Sequence, residues 1–116
     1  MYDGLMKITK DLVAASAAPL ILSILAESES YGYAIIQRVR DLSSGEIAWS
    51  DGMLYPVLHR LEEQGLIQAR WRTAESGRQR KYYALKRDGK AALEEQKQQW
   101  LLVHQTLAKL WGLGHA

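Results

Sequence analysis

The chain has 116 residues and no cysteine. Disulfides, a thiolate nucleophile and zinc knuckles are therefore excluded, redox chemistry with them, and the composition suits the cytoplasm. Proline occurs twice, as Pro19 and Pro56, both inside helical patterns. The three histidines, His59, His104 and His115, fall on different predicted elements. The acidic pairs Glu62/Glu63 and Glu94/Glu95 are sequence neighbours on helices, so their carboxylates diverge. No glycine loop of the phosphate-cradling kind follows a strand, and no spacing suits a metal. These absences argue against an enzyme and against a cofactor or metal. Long apolar runs are also missing: the longest, from Leu12 to Ala26, is too short to span a bilayer. Lys7 and Lys10 precede it as in a signal peptide, but Asp3 and Asp11 sit among them and no small-x-small cleavage site follows Leu25. That run reads as a first helix over 7–27, kinked or divided at Pro19.

Net charge is only +2, yet it is unevenly placed. Residues 70–90 hold eight Lys/Arg against two acids, a net +6, which leaves the remainder at −4. A concentrated basic patch on a nearly neutral protein points to a phosphate-binding surface. It directly follows the most sharply delimited helix, SDGMLYPVLHRLEEQG, from Ser50 to Gly65. Leu54, Val57, Leu58 and Leu61 make one apolar stripe there, while Tyr55, His59, Arg60 and Glu63 point elsewhere. Ser50 is the predicted N-cap, with Asp51 in the first turn, and Gly65 is the stop. Pro56 costs roughly 3 kcal/mol in a regular helix and removes the bond to the Gly52 carbonyl, so a loosened or 3-10 first turn is expected.

Leu66–Arg72 and Arg80–Lys86 read as two strands around a turn that carries Gly77 and projects Arg78. Alternation puts Ile67, Ala69 and Trp71 on one side with Tyr83 and Leu85, and leaves Arg70, Arg72 and Arg80 toward solvent or phosphate. Upstream, Ser30 is the expected cap of a support helix from Tyr31 to Leu42, with Tyr33, Ile36 and Val39 at helical spacing. Ile47–Trp49 is long enough for a short strand against the hairpin. The fold class is thus mainly α with a small β-hairpin: a winged helix-turn-helix domain over residues 1–87 and a long C-terminal dimerisation helix over 88–116. In that fold Ser50, Asp51, Gly52, Met53, Tyr55 and Pro56 form the DNA-facing end of the reading helix, Tyr55 being either a contact to phosphate or a base edge or a half-buried brace of the helix against the hairpin. His59 and Arg60 serve phosphates further along, Tyr33 is a phosphate donor or a core residue, and Arg78, Gln79, Arg80 and Lys81 form the wing contact.

The sequence MLYPVLHRLEEQGLI from Met53, then GRQRKYYAL and Gly89, with YGYAIIQRV upstream from Tyr31, closely resembles the PadR family of bacterial transcriptional regulators. The resemblance covers most of the chain. It implies double-stranded DNA as the partner, at a palindromic operator, and a cytoplasmic homodimeric repressor. A proline commonly follows the tyrosine in this family, but Met53 stands where many relatives carry Thr or Ser and so lacks their hydroxyl donor. Lys86 likewise replaces a frequent Thr, which passes the capping of the last helix to Asp88.

From Gly89 to Trp111 one helix is expected, with Leu93, Gln96, Trp100, Val103, Leu107 and Leu110 at the spacing of a coiled-coil seam, and the end GLGHA frayed. The seam requires a partner, and Leu93, Trp100, Val103, Leu107 and Leu110 are its dimer-interface residues. Trp100 lies eleven residues after Gly89. In similar multidrug-sensing members of the family, a Trp at that place from each subunit stacks on a planar aromatic ligand. The resemblance therefore implies a ligand site of Leu12, Ala15, Ala18, Ala92, Leu93, Gln96, Trp100 and His104, the last favouring neutral aromatics as much as cations. The reading from another class is a winged-helix interaction module whose hairpin and long helix bind protein, with no DNA role.

Overall fold

Residues 7–113 are described in the computed structural model of the chain; the readings placed on Asp3, His115 and residues 114–116 lie outside them. The apolar stripe predicted for the reading helix is the centre of the core: Leu54, Val57, Leu58 and Leu61 are all buried on α3 (Asp51–Glu63). Burying four such side chains contributes roughly 2 kcal/mol each. That outweighs the cost of Pro56, and α3 runs through it unbroken. The first turn combines an α-type bond, Leu54 N–H to the Ser50 carbonyl at 3.0 Å, with a 3-10-type bond from Met53 N–H at 3.2 Å. Gly65 takes φ 76° and ends the helix as expected.

Around α3 stand α1 (Lys10–Glu27), β1 (Ser30–Tyr31), α2 (Gly32–Leu42), β2 (Ile67–Thr73), β3 (Gln79–Leu85) and α4 (Arg87–Leu110). α1 begins at Lys10 rather than Lys7, because Thr9 caps it by accepting the Leu12 N–H at 3.3 Å. It is one helix through Pro19 and is not divided there. Its buried residues Ala17, Ile21, Leu22, Ile24 and Leu25 join those of α3 in one cluster with Ile35 and Val39 of α2, Ile67, Tyr83 and Leu93. At the end of α1, Arg38 donates to both carboxylate oxygens of Glu27, at 3.1 and 2.7 Å, and fastens α2 to it.

The three strands are antiparallel in the order β1-β3-β2. The third strand is not Ile47–Trp49, which forms no strand; it is the two-residue β1, whose Ser30 and Tyr31 pair with Tyr83 and Tyr82. Ser30 is therefore committed to the sheet and does not cap α2; Tyr31 holds the cap position without a side-chain bond. Trp49 is drawn into the core instead. α4 starts earlier than predicted, at Arg87 with Lys86 in the cap position, so Asp88 lies in the first turn and is not the cap. There Gly89 permits a close crossing: a Cβ on it would collide with the Leu66 carbonyl oxygen and stand 3.0 Å from the carbonyl carbon. The main obstacle is backbone, which cannot swing aside, so no side chain fits this position. At the far end Gly112, at φ 67°, lets Leu113 N–H reach the Ala108 carbonyl at 2.8 Å, so the first two residues of the GLGHA end close the helix in a turn; the other three lie outside the described residues.

Candidate nucleic-acid interface

Ser50 holds extended backbone angles and its Oγ accepts the Met53 N–H at 3.2 Å, which fixes the first turn of α3 at the surface. Beside it the hairpin stands away from the body. Together they frame a groove of about 590 Å³ lined by Tyr31, Gly32, Tyr33, Asp51, Tyr55, Trp71, Arg78, Gln79, Arg80 and Lys81. The structure thus brings together seven of the residues expected there: Tyr33, Asp51, Tyr55, Arg78, Gln79, Arg80 and Lys81. Ser50, Gly52 and Pro56 are exposed and Met53 half-buried at the same end of α3, while His59 and Arg60 are exposed further along; none of these six lines the groove. Tyr33 is 66% exposed, so it is no core residue; Gly32, Ile35 and Val39 are the buried positions of α2.

The hairpin register separates two faces. Ala69 pairs with Tyr83, Trp71 with Lys81 and Thr73 with Gln79, and these share the face turned to α3. On this inner face Ile67 and Tyr83 are buried, but Trp71 is 64% exposed. The expectation that Trp71 packs inward with Ile67 fails because the strands outrun the core, so the same face that is apolar interior at the root becomes groove wall at the tip. On the outer face Arg70 pairs with Tyr82 and Arg72 with Arg80. Glu29 holds both Arg70, at 3.1 Å, and Arg72. Arg72 also lies over the Tyr82 ring at 4.6 Å, Arg80 over Tyr31 at 4.5 Å, and the two rings meet edge-on at 5.2 Å. Glu29, Tyr31 and Tyr82 were not legible as partners, because a two-residue strand gives no periodic signal to align them with the hairpin.

Tyr55 both braces and presents. Its phenol lies on the start of α2, in space that exists only because residue 32 is glycine: a Cβ there would collide with the Tyr55 Oη and stand 2.8 Å from its Cζ. One edge of the ring remains in solvent, at 37% exposure. Behind it, burial pushes the Tyr83 phenol above its ordinary value, and the neighbouring Tyr55 and Glu62 push it in the same direction. The groove offers the hydroxyls of Tyr31, Tyr33 and Tyr55, the Trp71 indole and the cations Arg78, Arg80 and Lys81 beside one acid, Asp51. That set is suited to an extended polyanion.

A second concavity, about 520 Å³ and strongly apolar, runs between α1 and α4. Leu12, Leu93, Gln96 and Trp100 line it as expected, with Pro19, Ile47 and Leu101 among its other walls. Ala15, Ala18, Ala92 and His104 do not line it; Ala15 and His104 are exposed elsewhere on their helices. Gln96 Oε1 is buried with no hydrogen-bond partner among the described residues. Beyond Leu93 the seam is open: Trp100 is 40%, Val103 53% and Leu110 76% exposed, and Leu107 is half-buried. Among the described residues no group of acids and histidines is placed to hold a metal, and no helix is long and apolar enough to cross a membrane.

Known proteins share both the sequence pattern and the architecture. The pattern of the PadR-like transcriptional regulator family matches residues 21–95. The chain is 35% identical over 88 residues to the transcriptional regulator YqjI of Escherichia coli, a match that spans 76% of this chain and 41% of that protein. A crystal structure of a PadR family transcription regulator from Clostridium difficile superimposes with a TM-score of 0.74 at 33% identity, over 83% of this chain and 98% of the other. One of a PadR-like transcriptional regulator from Bacillus cereus does so with a TM-score of 0.78 at 29% identity, over 88% and 97%.

Proposed function

The chain belongs to the PadR-like family of transcriptional regulators, whose members are not enzymes, and on that premise we propose that it is a cytoplasmic homodimeric repressor. In this reading α3 enters the major groove of a palindromic operator and the hairpin follows the flanking backbone. One observation supports it above the others: the N-terminus of α3 and the inner face of the hairpin converge on a single groove lined by Tyr33, Tyr55, Arg78 and Lys81. The second copy covers the open seam of α4, since Trp100, Val103 and Leu110 form an apolar row left exposed by the described residues. Two-fold symmetry then sets the half-sites one helical turn or a multiple apart.

The ligand half of the reading places a planar aromatic molecule beside Trp100. The apolar walls of Leu12 and Leu93 and the unpartnered Gln96 Oε1 support it, because such a groove with one convergent polar atom is the usual form of a small-molecule site. Ligand would release DNA by favouring a half-site separation that does not match B-form duplex. The deciding experiment is binding to the DNA upstream of the chain's own gene across a salt series, followed by titration of aromatic compounds into the complex. Expected are nanomolar, sequence-selective binding, a steep salt dependence, and release by some of the compounds. Affinity no greater than for random duplex, there and after selection from random DNA, would instead favour a hairpin that serves a protein partner.

A further inference from the structure

Nothing in the packing of the hairpin accounts for its tryptophan. Trp71 is 64% exposed, sits opposite Lys81 in the hairpin register, and lines the groove with Tyr33, Tyr55 and Arg78. It contributes nothing to the core, whose inner-face members end at Ile67, Tyr83 and the half-buried Ala69. A large indole held in water beside cations has unused apolar area, and such area on a folded surface marks a contact made with something else.

We propose that Trp71 contacts the sugar-phosphate backbone of duplex DNA, its ring lying on a deoxyribose and its Nε1–H donating to an adjacent phosphate. This rests on the DNA-binding reading of the groove. Chemistry selects the occupant. Bases in a duplex are stacked and paired, so their faces are closed to an intruding ring. The backbone, by contrast, repeats an anionic phosphate and an apolar sugar edge, and the groove wall offers the complement: Arg78 and Lys81 as cations, with Trp71, paired with Lys81 across the hairpin, as the flat apolar surface. Asp51 is the one acid lining the groove, against Arg78, Arg80 and Lys81, so the net charge of the lining is positive and complements a polyanion. Trp71 adds contact area at little entropic cost, because its two side-chain torsions carry a large rigid ring.

A neutral backbone contact has a signature that neither a base-reading residue nor a phosphate-neutralising cation shares. Trp71→Ala should weaken binding to the operator and to random duplex by the same factor, on the order of ten-fold. The slope of affinity against salt should not change, because no counterions are released by an indole. Lys81→Ala, measured in parallel, should make that slope shallower. Trp71→Phe should recover the part of the loss due to ring contact and not the part due to the Nε1–H donation, giving an intermediate affinity, and the thermal midpoint of all three variants should stay near that of the parent. Parent affinity no greater for the upstream DNA, or for any duplex selected from random DNA, than for random duplex would mean that the repressor reading itself has failed. A selective parent with Trp71→Ala binding as tightly overturns this proposal alone. So does a Trp71→Ala loss confined to the operator, which would assign the indole to base reading, or one that tracks a fall in thermal midpoint, which would make it a brace for the hairpin.

Discussion

The two faces of the hairpin carry opposite relations between charge and availability. By register the outer face has three arginines, Arg70, Arg72 and Arg80, the last also reaching the edge of the groove, and the inner face one lysine, Lys81. Counted as charge, the outer face is the stronger site. Yet Glu29 holds two of its arginines and rings lie 4.6 and 4.5 Å beneath two, whereas Lys81 lies 5.7 Å from the Tyr83 ring centroid and makes no ion pair among the described residues. Surface ion pairs contribute little to stability, typically 0 to about 1 kcal/mol. Their effect on recognition is larger, because a carboxylate beside a guanidinium offsets its charge and occupies part of its donor set, so the guanidinium attracts a phosphate less. A basic stretch in a sequence is therefore an upper bound on a phosphate site, and its pairing decides how much of it remains.

Removing two groove cations that have no carboxylate partner among the described residues should have the largest effect. Arg78→Ala with Lys81→Ala is expected to weaken operator binding on the order of 100-fold at physiological salt and to lower the salt slope by about 2, one unit for each phosphate no longer neutralised. Arg70→Ala with Arg72→Ala, which removes as much formal charge, should change either quantity far less. Equal losses from the two double variants, measured by fluorescence anisotropy across a salt series, would erase the distinction between the faces.

The next effect runs the other way. Glu29→Gln leaves Arg70 and Arg72 without their carboxylate, so affinity for random duplex should rise by about ten-fold and its salt slope steepen by roughly 1 to 2 units. Operator affinity should rise less, because its contacts are already fixed by α3, and the operator-to-random ratio would fall. Glu29 would then act as a specificity device that withholds charge from unselective contact. No change on random duplex would place the outer face beyond the reach of DNA and leave the Glu29 pairs a purely local feature.

How far the sequence disclosed this arrangement varies with the reach of each signal. α3 was legible almost to the residue, since its stripe, Ser50 cap and Gly65 stop are all local. The position of the hairpin and its turn were legible for the same reason. Trp71 was not, because alternation tells which side a residue faces but not where the core beneath that side ends. Ser30 and Ile47–Trp49 were exchanged in role: a serine before a helix is a good cap by local rules, and only the register of Tyr82 and Tyr83 shows that β3 claims it. The ligand residues divide similarly. Leu12, Leu93, Gln96 and Trp100 share a wall of the α1–α4 groove, but Ala15, Ala18, Ala92 and His104 turn from it, a matter of helix rotation that spacing alone does not fix. Glu29 and Gly32 were missed because their partners, Arg70, Arg72 and Tyr55, are brought to them by tertiary structure.

Gly32 gives the smallest and most discriminating test of the inner face. A Cβ at this position would overlap the Tyr55 Oη and lie 2.8 Å from its Cζ. The atoms in the way are the far end of a side chain with an open edge, so the ring can swing aside and Gly32→Ala should cost only about 1 kcal/mol of stability. What it displaces is the phenol that stands between α2 and the groove, and operator affinity should fall several-fold, roughly as it does in Tyr55→Ala. The two changes act on one interaction, so combining them should add nothing: in a Tyr55→Ala background, Gly32→Ala should leave affinity where it was. A double variant whose loss equals the sum of the single losses would show that Gly32 matters to DNA through the start of α2 itself, and that Tyr55 reaches its position on the inner face without it.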